Sequence, residues 1–100
     1  MTSDASDKSG PTLAGRVIVP PHVMARAVGE ELVILNLESG TYFGLDTVGA
    51  RIWQLIGEGK LLSEVCEVAV SEYEVTRAVF EHDLQALLAS LETQGLIKRA

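Results

Sequence analysis

The apolar positions of this chain change their spacing about halfway along it. In the first half they cluster in short β-branched runs separated by turn residues. Val23 to Val28 reads as a short strand, Gly29-Glu30 as a turn, and Glu31 to Leu37 (ELVILNL) as a second strand. Glu38-Ser39-Gly40 has turn chemistry, and Thr41 to Leu45 (TYFGL) reads as the return strand of a hairpin. A two-residue Ser39-Gly40 loop would place Leu37 opposite Tyr42, Asn36 opposite Phe43, Leu35 opposite Gly44 and Ile34 opposite Leu45. Both faces of this hairpin carry apolar residues. One can pack on helices, and the other needs a cover from the tail, a partner or a second copy.

From Asp46 onward the period is helical. Asp46 is a good N-cap, and Gly49, Ile52, Trp53 and Ile56 follow at i, i+3, i+4 and i+7 until Gly57 and Gly59 end the pattern. A second helix is expected from about Leu61 to Ser71, with Leu62, Val65, Cys66 and Ala69 on its stripe and Tyr73 extending it. The third, from about Arg77 to Gln94, has the clearest punctuation. Thr76 suits the N-cap, Val75 can staple onto Phe80, and Gly95 with Leu96 suits a Schellman ending over Leu91. Its main stripe is Phe80, Leu84, Leu87, Leu88 and Leu91. Leu96-Ile97-Lys98 could add a brief edge strand. The pattern therefore predicts an α+β fold: a three-stranded antiparallel sheet followed by a three-helix, winged-helix-like bundle. Residues 1–16 are polar and read as a disordered tail, leaving one domain over residues 17–100.

Composition narrows the function classes. The chain has 100 residues, 47% of them apolar and 22% charged, which is ordinary for one globular domain. A formal net charge of -6 disfavours a phosphate backbone as partner, so no nucleic-acid partner is expected. No secretory signal and no membrane-spanning run is legible, which points to a cytoplasmic protein with no membrane partner.

Chemistry-bearing residues are sparse. The histidines are His22 and His82, with no HExxH or Cys/His spacing, so no metal is expected. The single Cys66 lies on an apolar stripe and reads as a buried, inert thiol. The glycines form neither a GxGxxG nor a phosphate-binding loop, so no cofactor is expected. Catalysis needs convergent polar groups, and none is evident, so the chain is not expected to be an enzyme. On the third helix, Val79, Asp83, Ala86 and Ser90 form a second stripe of mostly small residues, roughly 100–140° from the core stripe. Such a stripe can serve as a groove floor, or can pack on the hairpin. Asp83 could meet a basic residue or a peptide N–H, with His82 beside it. Phe43 and Leu45 suit the core, and Tyr42 suits an exposed contact. Arg51 reads as solvated, or as a contact for another protein.

The stretch LNLESGTYFGLDTVGARIWQLIGEG, with Asp83-Leu84, Leu87-Leu88, Leu91 and Gly95-Leu96-Ile97, resembles the family of the pyrroloquinoline quinone (PQQ) biosynthesis protein PqqD. That family includes the stand-alone leader-binding proteins of lasso-peptide pathways. The likeness spans about Val17 to Arg99. It implies three antiparallel strands followed by three helices, acting as a recognition element for ribosomally made, post-translationally modified peptides. It also implies that the leader of the precursor peptide adds as a strand to the third strand, with its side chains settling against the third helix. The candidate peptide-binding residues are then Thr41, Tyr42, Phe43, Gly44, Val79, His82, Asp83 and Ala86. The implied partners are a precursor leader peptide and a leader peptidase, cyclase or radical enzyme of the same pathway. The TYFGLD and VGARIW text leans toward the lasso type, with the PQQ type next. A monomer or weak homodimer is expected.

Two other readings stand beside this one. An acidic winged-helix module for protein interaction or dimerisation would use the two-sided apolar hairpin as its interface. A DNA-binding winged helix is less favoured, because Glu72, Glu74, Glu81 and Asp83 outweigh Arg77 around the would-be recognition helix.

Overall fold

A computed structural model describes residues 15–99, and the expected tail over residues 1–14 lies outside the described residues. Gly15 and Arg16, at the end of that expected tail, are tied to the domain. The Gly15 carbonyl accepts from the Leu62 N–H at 2.8 Å, and Arg16 Nε donates to the Gly59 carbonyl at 3.0 Å.

The elements in chain order are β1 (Val17–Ile18), β2 (Val23–Val28), β3 (Glu31–Asn36), β4 (Tyr42–Leu45), α1 (Thr47–Gly57), α2 (Leu62–Glu72), α3 (Arg77–Thr93) and β5 (Lys98–Arg99). The three-stranded antiparallel sheet has the order β2-β3-β4, and three helices follow it. The expected edge strand at Leu96-Ile97-Lys98 is instead the two residues Lys98–Arg99, and Leu96 and Ile97 before it are buried in the core. β5 pairs with β1 as a separate antiparallel ribbon, with Val17 opposite Arg99.

The hairpin register departs from the two-residue-loop expectation. Tyr42 faces Leu35, Phe43 faces Ile34, Gly44 faces Val33 and Leu45 faces Leu32. The loop is therefore longer, and Asn36 is the reason. Its Oδ1 accepts from the N–H groups of Glu38 at 2.9 Å and Ser39 at 3.2 Å, while its carbonyl accepts from Gly40 N–H at 2.7 Å. Leu37, expected opposite Tyr42, instead donates its N–H to the His22 carbonyl at 2.8 Å. The slip is by two positions, so every side chain keeps its expected face.

Local signals explain the helices. Asp46 Oδ1 accepts from the Gly49 N–H at 2.8 Å and starts α1. A Cβ at Gly49 would come within 3.1 Å of Leu45, so this glycine lets α1 sit tight on the end of β4. Glu64 caps the start of α2 by accepting from the Leu61 N–H at 2.8 Å. Thr76 Oγ1 caps α3 through the Val79 N–H at 3.3 Å. At the other end of α3, Gly95 takes φ 73°. Leu96 N–H donates to the Leu91 carbonyl and Gly95 N–H to the Glu92 carbonyl, which is the Schellman pair.

One core joins sheet and helices. Ile34 of β3, Leu62, Val65 and Cys66 of α2, and Leu84 and Leu88 of α3 are fully buried. Arg51, read from the sequence as solvated, instead forks onto Glu72 at 3.0 and 2.8 Å and joins α1 to the end of α2. Its hydrogen bonds hold the Glu72 carboxyl below the usual carboxylate range.

Two substitutions test this account by urea denaturation. Leu88→Ala empties a site with no solvent exposure and is expected to cost about 2–5 kcal/mol. Asp46→Ala removes only a cap and is expected to cost about 1 kcal/mol. An equal loss in both would contradict the placement of the core.

Candidate functional site: an open strand edge beside a cleft

Among the described residues β4 pairs with β3 alone, and its other edge carries backbone groups that none of them pairs. Their identity follows from the ladder. Asn36 donates its N–H to the Thr41 carbonyl at 2.9 Å. Antiparallel pairs alternate between bonded and non-bonded positions, so Phe43 and Leu45 point their backbone groups at β3. Tyr42 and Gly44 therefore direct N–H and C=O outward. The β2 side agrees, because Leu37 N–H reaches His22 and this parity assigns Leu35 and Val33 to β2.

Beside this edge lies an open cleft of about 630 Å³. Phe43, Gly44 and Leu45 of β4 line one side, and Phe80, Asp83, Leu84 and Leu87 of α3 line the other. α1 contributes Val48, Gly49 and Ile52, and the connection before α3 contributes Tyr73 and Val75. Asp46 and Asp83 are the acidic groups on this otherwise apolar lining. The turn before β4 meets the end of α3 through Asn36 Nδ2 and the Gln94 carbonyl at 3.0 Å. Strand and helix thus run in opposite directions along the cleft.

Of the residues singled out in the sequence, Phe43, Gly44 and Asp83 line this cleft. Thr41 sits in the turn, with its carbonyl accepting from Asn36 and its hydroxyl 2.8 Å from Ser39 Oγ. Tyr42 shares the free edge by its backbone, but its side chain is 72% exposed on the opposite sheet face. Val79, His82 and Ala86 are exposed on α3 and do not line the cleft. The helical repeat explains this, because Val79 and Ala86 lie about 40–60° further round the helix than Asp83.

Leu87, read as core, is a half-buried wall residue. Val48, Tyr73 and Val75 were not singled out as site residues at all. Tyr73 does extend the α2 stripe beyond the helix, and Val75 doubles as the staple residue, so both had a weak signal.

The outer face of the sheet holds a second, smaller groove. Met24, Val28 and Tyr42 are exposed there, with Val33 and Leu35 half-buried and Arg26 among them.

Cys66 is fully buried in the core, away from the cleft, and burial pushes its thiol up from the ordinary range. Among the described residues, no group of three His, Cys, Asp or Glu side chains could hold a metal ion. No helix of the described residues is long and apolar enough to cross a membrane.

The family model described as coenzyme PQQ synthesis protein D (PqqD) matches residues 31–97. Two solved structures are similar over most of the chain. One is TbiB1 in complex with the TbiA(beta) leader peptide, 40% identical, covering 80% of this chain and 93% of that one, with a TM-score of 0.77. The other is a lasso peptide synthetase B1 complexed with the leader peptide, 30% identical, covering 83% of this chain and 98% of that one, with a TM-score of 0.76. No curated protein matches the chain.

The burial of Cys66 has a kinetic consequence. A small disulfide reagent at pH 8 is expected to modify it only as fast as the chain opens, with rates rising in step with the unfolded population in urea. Rapid modification of the native protein would show that the thiol is accessible. A folded-state thiol pKa above the unfolded value also means that the unfolded chain loses this proton first. The thiol is therefore expected to lower stability as pH rises above about 8.5, and Cys66→Ala should flatten that part of the profile.

Proposed function

This chain belongs to the PqqD family, and from that premise we propose that it binds the leader segment of a ribosomally synthesised precursor peptide and presents it to modifying enzymes. The lasso-peptide type is favoured, since both similar solved structures are B1-type proteins carrying a leader. The role is non-catalytic and cytoplasmic. The recipients of the leader are the peptidase and cyclase of the same pathway.

The observation that carries this reading is the free β4 edge next to an apolar cleft walled by α3. An extended leader pairs with the outward groups of Tyr42 and Gly44, which supplies affinity without regard to sequence. Alternate leader side chains, roughly 7 Å apart, then fall on the same face as Phe43 and Leu45 and enter the cleft. These apolar contacts supply selectivity. Asp83, on the α3 wall, is placed to take a basic side chain or a leader N–H. Thr41 and Tyr42 act through their position in the strand. Val79, His82 and Ala86 form the outer flank of α3, available to a leader long enough to cross the helix.

A second reading, as a protein-interaction or dimerisation module, draws on the exposed apolar face around Met24, Val28 and Tyr42. A stable dimer in sizing chromatography that persists when leader is added would favour it.

The direct test is titration of the fluorescently labelled leader of the precursor encoded beside this chain, in wild type and in Gly44→Pro. Proline removes the outward N–H from an edge position where the ladder does not use it, so folding should survive. The expected results are micromolar or tighter binding by wild type and a loss of roughly tenfold or more in the variant. A folded Gly44→Pro protein with wild-type affinity would contradict strand addition at β4. Absence of wild-type binding at tens of micromolar would contradict the function.

A further inference from the structure

We infer that Asn36 is a positioning residue for leader capture, its carboxamide clasping the two walls of the cleft at their common end. The inference rests on the leader-binding reading of the cleft but concerns a residue that does not line it.

Asn36 is the buried polar residue among the described residues, 5% exposed in a core that is otherwise apolar. A buried carboxamide is costly unless its groups are paired, and here each half has a different task. The oxygen accepts from Glu38 and Ser39 N–H and so shapes the turn that delivers β4. The nitrogen donates to the Gln94 carbonyl at 3.0 Å, one of the carbonyls that a helix end leaves without a partner inside the helix. One side chain therefore sets the course of the strand wall and holds the end of the helix wall against it.

The surroundings are built around this contact. A Cβ at Gly95 would lie 3.1 Å from Asn36 Nδ2, so glycine there gives the amide room. His22 Nε2 lies 3.3 Å from the Gly95 carbonyl, which can only accept, so the ring donates there. Its Nδ1 lies 3.6 Å from Glu38 Oε2 on the same turn. The helix end is thus tied to the sheet at two adjacent carbonyls. Toward its N-terminal end α3 faces β4 across the cleft with Phe80, Asp83, Leu84 and Leu87. Loss of the clasp leaves the helix end held by the His22 contact alone, and lets the α3 wall pivot about its packed stripe while the core stays buried.

The two halves of the amide can be separated. Asn36→Asp keeps an oxygen for the turn, removes the N–H donor and sets a negative charge against the Gln94 carbonyl. Asn36→Ala removes both. Val65→Ala, in the core of α2 and outside the cleft lining, serves as a destabilised comparison.

The measurements are affinity for the same labelled leader, at a temperature where circular dichroism shows every variant folded, and residual dipolar couplings of α3 amides relative to the sheet without peptide. In Asn36→Asp, affinity is expected to fall about tenfold, and the α3 couplings to change while those within the hairpin persist. Asn36→Ala should additionally expose the Glu38 and Ser39 amides to exchange. Val65→Ala should lower stability with both readouts unmoved. Wild-type couplings in folded Asn36→Asp overturn the inference, as does wild-type affinity. If wild type itself binds no leader, the functional reading fails, and the couplings alone still decide whether Asn36 positions the helix.

Discussion

Among the described residues β4 is hydrogen-bonded on one side only, and most of what this molecule can do follows from that constraint. An edge strand is a hazard, because any extended chain can pair with it. Here the exposed run is short, four residues from Tyr42 to Leu45, and it contains a glycine. Only alternate residues present backbone groups to the outside. The edge is therefore a template of limited length, and the cleft beside it adds the apolar contacts that a short run of hydrogen bonds cannot supply.

The helices serve this edge by staying partly away from it. α3 buries Phe80, Leu84, Leu88 and Leu91 in the common core, and turns Asp83 and Leu87 toward the strand without closing on it. α1 begins directly after β4, capped by Asp46 and seated against Leu45 through Gly49, so the far end of the strand is pinned. The turn before β4 is pinned through Asn36. A strand fixed at both ends and open along one side is pre-organised, which lowers the ordering cost of binding a flexible peptide.

The acidic charge of the chain has a simple place in this picture. It is spread over exposed positions, and several of its members are already used. Glu72 holds Arg51, Glu81 pairs with Arg77 at 2.8 Å, and Asp46 caps α1. The charged groups on the cleft are Asp46, already engaged as a cap, and Asp83 on the α3 wall, and the rest of that surface is apolar. Recognition by such a surface is governed by shape and backbone pairing more than by long-range charge.

Element type and order were legible in the sequence, because hydrophobic period and capping residues are local. The β-branched apolar run ELVILNL, the Asp46 and Thr76 caps and the Gly95 ending all appear in the structure as those patterns dictate. The facing of each hairpin side chain was legible too, since a two-position slip preserves it. The true register was not, because it depends on Asn36 being buried against the end of α3, fifty-eight positions away in the chain. The cleft was only half legible. Residues on one element, such as Asp83, can be placed by helical angle. Tyr73, Val75 and Val48 join the lining because three helices converge there, and no local pattern encodes a convergence. By itself, then, the sequence determined the segments of the three-stranded sheet and the three helices and which side of each helix is apolar, since these are set by neighbours within a few residues, but not the β1–β5 ribbon, whose strands are two residues long and pair across the whole domain. The tertiary structure alone decided which strand edge stays open and what stands beside it, because that depends on contacts between segments far apart in the chain.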